Sequence, residues 1–212
     1  MKKILLVGDS IRIGYDKYVK LSYEGRAEVF YPNENCRMSS YVIRCLHDWK
    51  RDTKCGSDID LVHWNCGLWD CLIMPDGLYQ TPLNQYKENI DRICKMIKLY
   101  FPGAISVFAT STPVHDGVCA EVYTRNSKDV ELFNAAAVEV VKANGGYIDD
   151  LYTVMRNAPQ ECYSDVTHFY TKLGAETTTT QVTSVINELL GIESKTLDFG
   201  QFFKEEKNII GI

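Results

Sequence analysis

Short apolar runs alternate along this chain with longer segments in which apolar residues recur every three or four positions. The short runs, residues 3–7, 28–31, 59–65, 105–110 and 146–149, are rich in Val, Ile, Leu and aromatics. Runs of that length with little polar alternation predict strands buried on both sides. The longer segments, residues 15–21, 40–51, 83–100, 127–143 and 172–190, predict helices. The clearest is 83–100, where Tyr86, Ile90, Ile93, Ile97 and Tyr100 fall at helical spacing and Pro102-Gly103 stops the run. Strands and helices in alternation predict an α/β domain: a five-stranded parallel sheet with helices on both faces. Gly145-Gly146 marks a helix-to-strand return, and residues 110–126 read as a long loop over the sheet edge.

With 212 residues, the chain is long enough for one domain and short for two. The domain is expected over residues 1–192. A tail over 193–212, carrying Phe199, Phe202, Phe203, Ile209 and Ile210, is expected to pack on that domain or on a neighbouring subunit, which leaves a homo-oligomer open. A hydrophobic fraction of 45% excludes a disordered chain. The net charge of −5 with scattered basic residues argues against a nucleic-acid partner. The apolar run after Lys2-Lys3 meets Asp9 and Arg12, so it is shorter than the about 7–15 residues of a signal-peptide core. Nothing approaches the roughly 18 apolar residues of a membrane span. A cytoplasmic protein with no membrane partner is expected. The eight cysteines, at 36, 45, 55, 66, 71, 94, 119 and 162, form no C-x-x-C pair, so they read as reduced thiols packed as small hydrophobes, with no metal site.

Two segments point to chemistry. The first strand runs straight into Gly8-Asp9-Ser10. A serine at the carboxyl end of a parallel strand stands where such folds bind ligands, facing the free N–H groups of the next helix. As a nucleophile it needs a base and oxyanion donors. A helix cap or a phosphate-binding turn is the alternative reading. The second segment is Asp165-Val166-Thr167-His168. An aspartate and a histidine three residues apart on a turn can face the same way, the carboxylate holding one imidazole nitrogen while the other is free to meet a hydroxyl. A plain surface turn capped by Asp165 is the bland alternative.

Together the two segments resemble the GDSL or SGNH family of serine esterases and acylhydrolases: Ile4-Leu5-Leu6-Val7-Gly8-Asp9-Ser10 is similar to its first block and Asp165-Val166-Thr167-His168 to its last. The resemblance spans residues 1–190. It implies a flavodoxin-like three-layer sandwich with strand order 2-1-3-4-5, and ester hydrolysis through an acyl-enzyme without metal or organic cofactor. By analogy Ser10 is the nucleophile, His168 the base and Asp165 its orienting partner. The family's second block carries a glycine whose N–H helps form the oxyanion hole; the matching stretch, residues 33–40, has none, which leaves Cys36 or Arg37 as donor. Its third block, Gly-x-Asn-Asp, is matched by Gly67-Leu68-Trp69-Asp70, with Trp69 where the asparagine belongs. Asn65, two residues before Gly67 and on the same face by the period of a strand, is the expected side-chain donor, Trp69 the alternative. A buried structural amide is the other reading of Asn65.

Around these, Asp9, Arg37, Gly67, Trp69 and His115 are expected to line the substrate site, and Arg12 is a further candidate for meeting an anionic group. His63, inside a strand, reads as a core histidine. The implied substrate is a small-molecule or oligosaccharide ester with a short, acetyl-like acyl group. A non-catalytic flavodoxin-like module that recognises acylated sugars or another small ligand is the rival reading; a nucleotide binder is disfavoured because no Gly-x-Gly-x-x-Gly or Walker pattern follows.

Overall fold

The computed structural model of the chain describes residues 1–118 and 123–203. β1 (Lys2–Val7) lies inside the main sheet, paired on one side with β2 (Ala27–Phe30) and on the other with β3 (Leu61–Trp64). That position explains why Ile4, Leu5, Leu6 and Val7 are all buried: neither face of the strand meets water. Each such side chain contributes about 1.5–3 kcal/mol through burial. β4 (Ile105–Ala109) and β7 (Tyr147–Asp149) complete a sheet of order β2-β1-β3-β4-β7, every pair parallel. Counted within this sheet the order is the expected 2-1-3-4-5.

Helices α2 (Ser39–Thr53), α3 (Leu83–Tyr100) and α4 (Ser127–Ala143) pack side by side on one face. On the other, α6 (Lys172–Leu190) packs against α1 (Ser10–Ser22) and the short α5 (Leu151–Arg156). Because β1 leads to β2 on one side while β3 lies on the other, a crevice opens at the carboxyl ends of β1 and β3. The α1–α6 contact brings the loop before α6 to that crevice.

Several elements differ from the sequence-based expectation. α1 begins at Ser10 rather than residue 15, because the Asp9 side chain accepts from the Ile11 N–H and caps the helix as soon as β1 ends. The 110–126 segment holds two short strands, β5 (Gly117–Val118) and β6 (Thr124–Arg125), and Ile73 bridges to Thr124. α5 has six residues, too few to show a helical period. In the tail, α7 (Phe199–Phe202) sets Phe199 against Tyr18, with ring centroids 5.0 Å apart, and the Lys195 N–H donates to the Ser22 carbonyl. Residues 204–212, including Ile209 and Ile210, and residues 119–122, including Cys119, lie outside the described residues. Of the seven described cysteines, all free thiols, six are buried. No helix among the described residues is long and apolar enough to cross a membrane.

Two buried polar clusters fix the loops around the crevice. Arg12, 1% exposed, reaches from α1 into residues 32–36: Nη1 donates to the Pro32 carbonyl at 3.0 Å, Nη2 to the Glu34 carbonyl, and both Nε and Nη2 to the Gly8 carbonyl, while Nη1 pairs with Asp16. This residue is therefore a structural clamp, not the anion contact the sequence suggested. Asp70 accepts from the Ser39 N–H at 2.9 Å and the Ser39 hydroxyl at 2.5 Å, and Asn89 of α3 donates to that same hydroxyl at 2.9 Å. The loop after β3, the start of α2 and α3 are thereby joined.

Arg12→Ala strands Asp16 and three carbonyls in the interior. It is expected to cost about 3–5 kcal/mol of stability in urea denaturation; a loss below about 1 kcal/mol would show that the loop holds without the clamp. Burial pushes the Asp70 carboxyl up to about 6 against the opposing hydrogen bonds from Ser39 and Thr81. In the unfolded chain an aspartate titrates near ~4. Between those values the folded state keeps a proton that the unfolded state has lost, so stability falls as pH rises from about 4 to 6, by roughly 2–3 kcal/mol. Asp70→Asn should flatten that part of the Tm–pH curve; identical slopes for both proteins would refute the coupling.

Candidate active site

Ser10 is the first residue of α1, three residues beyond the end of β1, and is 7% exposed. Its backbone N–H has no acceptor within the helix, as for any first-turn position. Its hydroxyl meets a residue 158 positions away: His168 Nε2 stands 2.9 Å from Ser10 Oγ. The other imidazole nitrogen, Nδ1, lies 2.8 Å from Asp165 Oδ2 and 3.0 Å from Oδ1. Asp165 is held in turn by the N–H groups of Thr167 and His168, at 2.7 and 2.8 Å. Partial burial works against its charge, but the hydrogen bonds from His168 and Thr167 outweigh this and bring the carboxyl down to about 2. An ionised carboxylate only accepts, so Nδ1 carries the proton and Nε2 accepts from the Ser10 hydroxyl. The three residues form one directional chain of hydrogen bonds.

Tyr170, which the sequence reading did not single out, supports this chain twice. Its ring stacks on the His168 imidazole, 4.8 Å between centroids at 18°, and its hydroxyl donates to the Ser10 carbonyl at 2.7 Å. It fixes the ring plane of one partner and the backbone of the other. Its position two residues after His168 was the available signal.

Asn65 follows β3 and is 3% exposed. Its Nδ2 donates to Asp9 Oδ1 at 2.9 Å, which leaves the second amide N–H uncommitted. Asp9 thus joins the residue before Ser10 to the end of β3. The close fit requires a glycine before it: a Cβ on Gly8 would stand 1.9 Å from Asn65 Oδ1. Asp9 was expected to touch substrate; it is instead fully buried, capping α1 and orienting Asn65. Gly67 is likewise a packing residue: it is buried, with φ +145°, and a Cβ there would come 2.6 Å from Ser111 Oγ.

The second-block expectation also changes. The Cys36 N–H donates to the Gly8 carbonyl at 3.1 Å, so it is engaged in holding the loop and is not available as an oxyanion donor. Burial pushes its thiol up to about 12 despite the nearby Arg12, the opposite of what a reactive cysteine needs. Arg37, φ +50°, takes the left-handed backbone a glycine would favour. Its N–H donates to Asn35 Oδ1 at 2.9 Å and its guanidinium lies over the Tyr41 ring, 5.3 Å from the centroid. Trp69 is half-buried in the loop after β3. His115 is exposed; its N–H donates to the Val166 carbonyl at 2.8 Å and its ring meets Tyr163 edge-on, so it braces the loop that carries Asp165 and His168. His63 has a partner within the core, Asp149, at 2.9 Å.

No protein-family model matches the chain, and no curated protein sequence matches it. Solved structures do. A lipase/acylhydrolase from Enterococcus faecalis superposes with a TM-score of 0.70 at 20% identity, over 93% of this chain and 100% of that one. A GDSL-like lipase from Bacteroides thetaiotaomicron gives 0.68 at 14% identity, over 88% of each chain. An acetyl xylan esterase gives 0.67 at 14% identity, over 87% of this chain and 99% of that one. Such low identities speak to architecture alone. The chain has the three-layer α/β fold of the GDSL/SGNH hydrolases.

Proposed function

We propose that the chain is a serine ester hydrolase of the GDSL/SGNH type. The observation that carries the reading is the hydrogen-bonded series from Ser10 Oγ through His168 to Asp165. His168 Nε2 removes the hydroxyl proton as Ser10 Oγ attacks the ester carbonyl, and Asp165 stabilises the imidazolium that forms. The oxyanion is received by the Ser10 N–H and the free N–H of the Asn65 amide, both at the crevice. His168 then gives its proton to the departing alcohol. A water molecule, deprotonated by the same nitrogen, attacks the acyl-enzyme; the acid leaves and Ser10 regains its proton.

Within this reading the preferred acyl group is short, acetyl above all, and the alcohol is a carbohydrate or similar polar molecule. Supporting it are the fold shared with an acetyl xylan esterase and Trp69, half-buried in the loop after β3, whose ring is of the kind on which a sugar can stack.

A fluorophosphonate probe is expected to label Ser10 and to leave Ser10→Ala unlabelled; an unlabelled wild-type protein that also fails to turn over p-nitrophenyl acetate would favour the binding-module reading. His168→Ala should lower kcat by at least about 10³-fold with the fold retained by circular dichroism. Near-normal rates would remove His168 from the mechanism. Asn65→Ala should lower kcat by about 10²–10³-fold; unfolding of that variant would instead assign Asn65 a structural role. Across p-nitrophenyl esters of rising chain length, kcat/KM should be highest for acetate, and a maximum at long acyl chains would contradict the proposed substrate class.

A further inference from the structure

Arg125 is a buried cation with no acidic partner among the described residues. It ends β6 and is 6% exposed. Its hydrogen bond runs from Nη1 to Thr167 Oγ1 at 3.4 Å, and its buried Nε has no acceptor. The contrast with Arg12 is instructive: that guanidinium, equally inaccessible, meets Asp16 and three carbonyls. A guanidinium offers five N–H donors and does not release its proton. Buried with one long contact, it lacks among the described residues the acceptors that would offset its desolvation.

Its hydrogen-bond partner lies in the loop that borders the crevice. Thr167 stands between Asp165 and His168, so Arg125 adjoins the loop that presents the imidazole. Burial pushes the Asp9 carboxyl up, and the opposing influences include hydrogen bonds from Asn65 and Ile11 and the charges of both Arg125 and His168. The Arg125 guanidinium therefore bears on the residue next to Ser10. Other polar capacity at this edge is also unmet: Asp9 Oδ2, Asn65 Oδ1, Ser111 Oγ and Thr112 Oγ1 are buried without partners, on residues that follow β1, β3 and β4.

We propose that Arg125 is a specificity-determining residue that receives a carboxylate on the alcohol half of the ester, so that the preferred substrates are short-chain acyl esters of an acidic alcohol such as an acidic sugar. The inference rests on the hydrolase reading above. A short acyl group has no room for a second charge, which places the carboxylate on the alcohol. Planar, bidentate pairing with a carboxylate suits a guanidinium. The net charge of −5 repels anions at long range, so a preference for an anionic ester needs a local cation.

The test compares kcat/KM for 3-acetoxybenzoate and the neutral 3-acetoxybenzamide, each divided by its rate of alkaline hydrolysis, in the wild-type protein, Arg125→Met and Arg125→Lys. The wild type is expected to favour the carboxylate by about tenfold or more, as a charge-assisted pair supports. Arg125→Met should abolish that preference, while Arg125→Lys, which keeps the charge but not the fork, retains part of it. No preference in the wild type, or a full preference surviving in Arg125→Met, overturns the proposal. Should Arg125→Met not fold, judged by circular dichroism, the wild-type ratio and Arg125→Lys decide it. If Ser10 takes the fluorophosphonate label and the two acetates are equivalent, only the role of Arg125 fails. If Ser10 is unlabelled and neither acetate is hydrolysed, the hydrolase reading fails and this inference with it.

Discussion

A single hydrogen bond between the two ends of the fold, Ser10 Oγ to His168 Nε2 at 2.9 Å, gives the other features their meaning. A serine hydroxyl is inert without a base, and an imidazole on a surface turn has no task without a partner. Neither segment reaches the other through local structure. Their meeting depends on α6 packing along α1, which brings the loop before α6 over the first turn of α1. Tyr170 then locks the arrangement by stacking on the imidazole while holding the Ser10 carbonyl. Asp165, brought down to about 2 by hydrogen bonds that overcome its partial burial, stays ionised at neutral pH and keeps accepting from the His168 Nδ1 proton.

The loops around the crevice are fixed by buried polar contacts, together with the close approaches that Gly8 and Gly67 allow. Arg12 gathers residues 32–36 against the end of β1, and Asp70 ties the loop after β3 to α2 and, through Ser39, to α3. These side chains are costly to bury alone and become stabilising only when every partner is present. They therefore resist local rearrangement, which is the property a site needs if its donors are to be in place before substrate arrives. Arg125 departs from this pattern: among the described residues its guanidinium has one long hydrogen bond, to Thr167, and no acidic partner.

Legibility from the sequence followed the range of the interactions. β1 and β3 were readable because a strand buried on both faces is largely apolar, and the helices between the strands because one stripe of each faces the sheet. The serine was readable because it sits where β1 gives way to α1, and the Asp-x-x-His segment because its spacing is compact enough for the carboxylate to reach the imidazole on one turn. What escaped depended on tertiary partners. Cys36 was a reasonable donor until the fold committed its N–H to Gly8. Asp9 read as a substrate contact, yet its carboxylate is consumed by the cap of α1 and by Asn65. The two-residue strands β5 and β6 have no period to detect, and the functions of Arg12, Tyr170 and Arg125 exist only once distant loops have closed around them.

The most direct measurement is a crystal structure of the protein after reaction with a small alkyl fluorophosphonate. The account predicts phosphorus bonded to Ser10 Oγ, a phosphonyl oxygen about 3 Å from both the Ser10 N and Asn65 Nδ2, and His168 Nε2 still beside Oγ. An unmodified Ser10, or an adduct whose oxygen points away from both donors with the imidazole turned aside, would contradict it.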